Sequence, residues 1–340
     1  MPPGPLLIVG GAEDKLRRRT ILRRFVDLSG GPDARIAVIP TASSLGPEIV
    51  EVYDALFRKA GAGDVGAVRP TTREQAHDPA LVERLDSATG LFMTGGNQLK
   101  LSSVVCGTPV GEAIVRAHRR GAVVAGTSAG ASIQSSHMVA FGVGGSTPKQ
   151  RMTQVAAGLG LLGSTVIDQH FDQRNRYGRL LMIVAQSPQL LGLGIDEDTA
   201  AIVEHVEVDG EEHEVLSVLG RGAVTIMDPA RLRTNAYEAR RSAPLLASGV
   251  VLHVLPEGSL FDLTTRSLVP PEQASDPSEA DELAAAGRDL RALARDIAAG
   301  DASPGALRRR QARHQVPPAP RDAHDLAPAS APDPDAGGTP

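Results

Sequence analysis

The chain has 340 residues, 41% hydrophobic and 22% charged, the balance of a globular protein long enough for one large α/β domain. Its net charge of −5 gives no general reason to expect a polyanionic partner, and its single cysteine, Cys106, excludes an intrachain disulfide framework and fits a reducing cytoplasm. Tryptophan is absent and aromatics make up 3%, so aliphatic side chains must fill the core.

The N-terminal apolar stretch breaks at Gly10 and Gly11, too short for a signal peptide. No run of about 20 apolar residues is present to span a bilayer. The sequence reads as a soluble cytoplasmic protein with no membrane partner. From there Val- and Ile-rich runs alternate with stretches of helical periodicity. The strand-like runs are LLIVGG, RIAVIPTAS, GLFMTGGN, GAVVAGTS, STVIDQHF and TAAIVEHV. Helical spacing marks EDKLRRRTILRRFVDLS, GPEIVEVYDALFRKAG, PALVERLDSA and VGEAIVRAHRRG. Strands apolar on both faces that alternate with helices imply a parallel sheet covered on both sides. Polar and glycine-rich residues gather just after these strands, where open α/β sheets place their sites.

Beyond Ala200 a hairpin around Asp209 and Gly210, then GVVLHVLPEGSLFDLTT, extends the sheet with antiparallel pieces. EADELAAAGRDLRALARDIAAG reads as a late helix. From Asp301 the chain is rich in Pro, Ala and Asp and too poor in apolar residues to fold. The expected organisation is a principal domain over 1–270, a helical extension over 271–300 and a disordered tail over 301–340.

Gly126-Thr127-Ser128-Ala129-Gly130 fits G-x-S-x-G in the context the motif requires, a strand running into a helix start. At such a turn the serine hydroxyl projects from the sheet edge, and small neighbours avoid clashes; a tight, well-packed turn is the competing reading. A serine nucleophile needs a base, and the base an orienting acid. Among nine histidines, His118 reads as solvated on a basic helix face, His213 as part of a charged hairpin tip, and His205 and His253 as structural. His170 differs: it ends the apolar strand STVIDQHF, at the level where Ser128 also stands. Asp196, Glu197 and Asp198 supply three candidate acids in a turn before the next strand. The order Ser128, Asp228, His253 is a weaker alternative, because His253 lies inside an apolar run. Cys106, with no histidine nearby, reads as a small core residue.

The motifs IVGGAEDK, TGGNQ, GTSAGA, IDQHFDQRNRYGRLL and GIDEDTA, in this order, resemble the cyanophycinases of the peptidase E-like serine peptidases, peptidase family S51. The resemblance runs from about Leu6 to Thr265. It implies a flavodoxin-like, class I glutamine amidotransferase-like three-layer sandwich, a homodimer, and hydrolysis of cyanophycin, a polyaspartate carrying an arginine in amide linkage on each side-chain carboxyl, to β-Asp-Arg dipeptides. It also implies Ser128 as nucleophile, His170 as general base and Glu197 as the acid orienting the imidazole. The backbone amides of Gly96 and Ala129 would form the oxyanion hole. Gln98, Asp168, Gln169, Arg174, Arg176 and Arg179 match the positions lining the substrate pocket. Asn175 stands where the resemblance implies glycine.

These residues suit a substrate carrying both signs of charge. Asp168 is expected to pair with a guanidinium, and the arginines to grip carboxylates through paired hydrogen bonds. If helical, Arg176 and Arg179 share a face. The glycine pair after the first strand lacks G-x-G-x-x-G, so no dinucleotide cofactor is expected, and metal-ligand spacings are absent. The basic RRRQARH of the tail reads as a solvated linker, not a nucleic-acid site. The rivals are a related Asp-specific dipeptidase and a non-catalytic amidotransferase-like binding module.

Overall fold

The computed structural model describes residues 2–208 and 210–270. The extension and tail expected over 271–300 and 301–340 lie outside the described residues. In chain order the elements are β1 (Leu6–Val9), α1 (Thr20–Leu28), β2 (Arg35–Ile39), α2 (Glu48–Lys59), β3 (Asp64–Ala67), α3 (Pro79–Ser87), β4 (Gly90–Met93), α4 (Gln98–Val105), α5 (Pro109–Arg119) and β5 (Val123–Thr127). There follow α6 (Ala129–Ser132), β6 (His137–Gly142), β7 (Thr153–Ala157), β8 (Thr165–Gln169), α7 (Tyr177–Gln186), β9 (Leu191–Ile195), β10 (Thr199–Val208), β11 (Glu211–Gly220) and β12 (Val224–Asp228).

Helix starts follow local chemistry. Asp78, Asn97 and Thr108 each accept a first-turn amide, from Ala80, Lys100 and Gly111, with proline at the first helical position of α3 and α5. Helix α1 begins only at Thr20, later than its periodicity suggests. The Asp14 carboxylate takes the amides of Leu16, Arg17 and Arg19 and holds that stretch as a loop.

The main sheet has β3, β2, β4, β5 and β1 in parallel, then β10, β11, Leu260–Asp262 and Ser267–Leu268 antiparallel. Strand alternation sorts its side chains. Leu7 and Val9 of β1 pack with Phe25 of α1 and Tyr53 and Phe57 of α2, whereas Leu6 and Ile8 face Leu85 of α3 and Ile114 of α5. Three of the few phenylalanines, Phe25, Phe57 and Phe92, meet in one cluster with Tyr53; the opposite face is filled by aliphatic residues and Phe261.

The predicted class, α/β with a mainly parallel sheet and an antiparallel C-terminal extension, is the one observed, with one difference. STVIDQHF does not join the main sheet. As β8 it pairs in parallel with β9 in a second sheet, completed by β12 and Val251–Leu255 in antiparallel register. Ile167, Leu193 and Ile226 of this sheet join the core that also holds Leu6 and Ile8, while Val166 faces Leu180 and Val184 of α7. A single strand reads the same whichever sheet receives it. The second sheet could not be separated from the first by periodicity.

Candidate active site

Ser128 stands where β5 ends and α6 begins, with φ 53° and ψ −106°, outside the ordinary basins of an L-residue. The glycines of the motif act through close approach. A Cβ on Gly126 would lie 2.1 Å from the Gly130 carbonyl oxygen, and one on Gly130 2.2 Å from that of Met93. The small residues pack the turn tightly, and the packing holds the serine at its unusual dihedrals.

His170 follows β8, and Glu197 lies in the turn by which the chain leaves β9 of the second sheet for β10 of the first. His170 Nε2 is 3.0 Å from Ser128 Oγ, and Nδ1 is 2.6 Å from Glu197 Oε1. A carboxylate can only accept, so Nδ1 carries the proton, and the Nε2 lone pair is left to accept from the serine hydroxyl. Burial pushes the His170 pKa below its ordinary value; the bond to Glu197 opposes the shift and the charges of Arg174 and Arg176 add to it. The shift favours the neutral imidazole, the form able to take a proton. His170 and Asp198 share the positive φ of Ser128, at 48° and 51°, so strained backbone gathers at this point.

Backbone contacts bring the two sheets together here. The His170 amide donates to the Gly10 carbonyl at 2.8 Å, and the Asp198 amide to that of Gly11 at 2.9 Å. Gly11 has φ 105°, and a Cβ on it would lie 2.3 Å from His170 Cε1, so the imidazole rests on a position only glycine can fill.

Geometry separates the three candidate acids. Glu197 meets the histidine. Asp196 accepts from the amides of Asp172 and Ala223, and Asp198 from that of Asp14. Asp228 instead pairs with Arg266, and His253 packs on Phe261, so the alternative triad does not assemble. The TGGN turn lies beside the serine, where a Cβ on Gly95 would come within 3.4 Å of the Ser128 Cβ. Gly96 has φ 143°, and Ala129 is the first residue of α6, where an amide lacks an intrahelical acceptor.

The polar positions divide. Arg174 is exposed and Gln98 half-buried, its amide donating to the Val139 carbonyl. Asp168 is fully buried and takes both Arg176, at 3.1 Å, and Arg179, whose Nε lies at 2.5 Å. Arg176 also donates to the carbonyl and side-chain oxygens of Gln169. Burial brings the Arg176 pKa down to about 10 against the pull of Asp168. The expected pairing of Asp168 with an incoming guanidinium is thus corrected: its oxygens are already held by the protein's own arginines. Asn175 sits at φ 47°, a left-handed conformation that asparagine tolerates better than most residues, so it serves where glycine was implied.

His118, expected in solvent, is buried, and desolvation lowers its pKa to about 4. Cys106 is half-buried, against the core rather than in it. Sequence reasoning missed Glu13. This buried carboxylate accepts from Thr127 Oγ1, Tyr53 Oη and Lys15 Nζ, each at 2.6 Å, and so ties the residue before Ser128 to α2. Burial raises its pKa, but these partners outweigh that and hold it lowered. An acid four residues beyond a buried strand was the available signal.

A family model described as peptidase family S51 matches residues 6–210. A cyanophycinase from Nostoc sp. is 42% identical over 268 residues, 78% of this chain and 87% of the relative. One from Geminocystis herdmanii is 38% identical over 262 residues, 76% and 94% of the two chains. The crystal structure of a peptidase from an acI-B1 Actinobacterium superposes with a TM-score of 0.51 at 20% identity, covering 74% of this chain and 97% of that one, which bears on the fold alone. Fold and relatives define a peptidase of α/β architecture. The chain belongs to peptidase family S51. Among the described residues, no helix is long and apolar enough to cross a membrane, and no group of three or more His, Cys, Asp or Glu is placed to hold a metal ion.

Proposed function

We propose that this protein hydrolyses cyanophycin to β-Asp-Arg dipeptides as a serine peptidase, with Ser128, His170 and Glu197 as its triad. The observation that carries the reading is the unbroken relay from Glu197 through His170 to Ser128. The identity to two cyanophycinases over most of their length supports the choice of substrate.

In this mechanism His170 Nε2 takes the Ser128 proton as Oγ attacks a backbone carbonyl of the polyaspartate. Glu197 holds the ring and stabilises the imidazolium. The amides of Gly96 and Ala129 receive the oxyanion. The imidazolium then gives its proton to the departing amine, and water, activated by the same nitrogen, releases the acyl group. Arg174 and Gln98 are the polar groups of the pocket set that remain open to a substrate, while Asp168, Gln169, Arg176 and Arg179 form its buried frame. The resemblance supports a homodimer, which light scattering of the purified protein checks, and the single cysteine fits a reducing cytoplasm.

The experiment is incubation of the pure protein with insoluble cyanophycin and identification of the products by mass, beside a simple α-Asp dipeptide. Release of β-Asp-Arg from the polymer is the expected result. Cleavage of the dipeptide alone would assign the Asp-specific peptidase reading instead.

A further inference from the structure

Outside the active site, four arginines line one surface groove. A groove of about 450 Å³ is lined by Arg17, Arg18, Thr20, Arg23, Arg24, Asp27 and Leu219. All four arginines are exposed, and among the described residues none of them makes a salt bridge. Unpaired guanidinium groups around a concavity present a strong field to carboxylates and offer them paired hydrogen bonds.

The groove is tied to the active site. Arg17 and Arg18 belong to the loop held by Asp14, whose own amide donates to Asp198 Oδ1 at 2.8 Å, beside Glu197. On the other side, Leu219 pairs with Ala200 at the start of β10, three residues after Glu197. The loop and the strand end that form the groove thus both abut the turn that carries the acid of the relay, the Arg221 amide donating to the Asp198 carbonyl at 2.9 Å.

We propose that this groove is a second binding site for the polymer substrate, gripping the free α-carboxylates of its arginines at repeats away from the one being cleaved. The proposal rests on the cyanophycin reading above. Each repeat offers one carboxylate and one guanidinium; four arginines meet the former and Asp27 the latter. A carboxylate at every repeat engages several arginines at once, and holding one stretch of chain raises the local concentration of its neighbours at Ser128. The acid within the groove and its position beside the catalytic turn favour this ligand over a nucleic acid.

The test neutralises the groove by combining Arg17→Gln, Arg18→Gln, Arg23→Gln and Arg24→Gln, with the pairs 17/18 and 23/24 also made separately and each variant checked by thermal unfolding. Two rates are read, on insoluble granules and on a soluble (β-Asp-Arg) trimer. Sedimentation with granules is measured in a Ser128→Ala background. With exposed ion pairs each contributing little singly, losing four should weaken granule binding and slow granule degradation about tenfold at low salt. The difference should shrink at high salt, and the trimer rate should be unchanged. Unchanged granule binding, equal slowing on both substrates, or arginine-dependent binding of duplex DNA with granule binding intact would each overturn the proposal. If the unsubstituted protein sediments with granules through these arginines yet cleaves neither substrate, the cleavage reading falls and the groove stands.

Discussion

Glu197 and His170 lie 2.6 Å apart across a junction between two sheets: the histidine ends a strand of the smaller sheet, and the glutamate sits where the chain crosses to the larger one. The main sheet supplies Ser128, so the relay exists only while the two sheets stay docked through Gly10 and Gly11.

Glu197→Gln keeps the size of the side chain but allows it to present an amide to Nδ1, favouring the tautomer that cannot accept from Ser128. The expected outcome is a fall in kcat of roughly a thousandfold or more with KM little changed and the fold intact. Steady-state kinetics on a soluble oligomer check it, and near-normal kcat would remove the glutamate from the mechanism.

The pH dependence follows from the lowered pKa of His170. The base works when neutral, so kcat/KM should rise with pH along a limb centred below the ordinary histidine value of about 6.5. The charge of Arg174 helps to lower that pKa, so Arg174→Gln should move the limb to higher pH. Stability shares the sign. His118, at about 4 in the folded protein, resists a proton that the unfolded chain accepts near 6.5. Its contribution is therefore fully present above about 6.5 and lost as the pH falls towards 4, which denaturant titrations across this window would register.

Asp168 is predicted to matter for stability before it matters for binding. Asp168→Ala strips two buried guanidinium groups of their shared anion, a loss of about 3–5 kcal/mol on the scale of broken buried pairs. Chemical denaturation measures it directly; a variant as stable as the parent would show that Arg176 and Arg179 find other partners.

Much of this was legible because the chemistry sits at strand ends. Ser128, His170 and the acid turn each interrupt an apolar run with polar residues, and strand periodicity puts such interruptions at one rim. Choosing Glu197 over Asp196 and Asp198 from the residues alone was out of reach, since three adjacent carboxylates differ only in where the turn aims them. The frame role of Asp168 was hidden for a related reason: its partners, eight and eleven residues on, come back to it only when α7 packs on the second sheet. Glu13 went unnoticed as a clamp because Thr127 and Tyr53, which hold it, are remote in sequence. His118 misled because Arg116, Arg119 and Arg120 around it are exposed while its own side chain turns inward.

The central claim is that the hydroxyl of residue 128 performs the attack. Its most direct test is the rate of β-Asp-Arg release from purified cyanophycin by the Ser128→Ala variant, followed by mass spectrometry beside the parent protein. The account predicts a loss of about a thousandfold or more at unchanged thermal stability. Dipeptide release at a rate close to the parent's would contradict it.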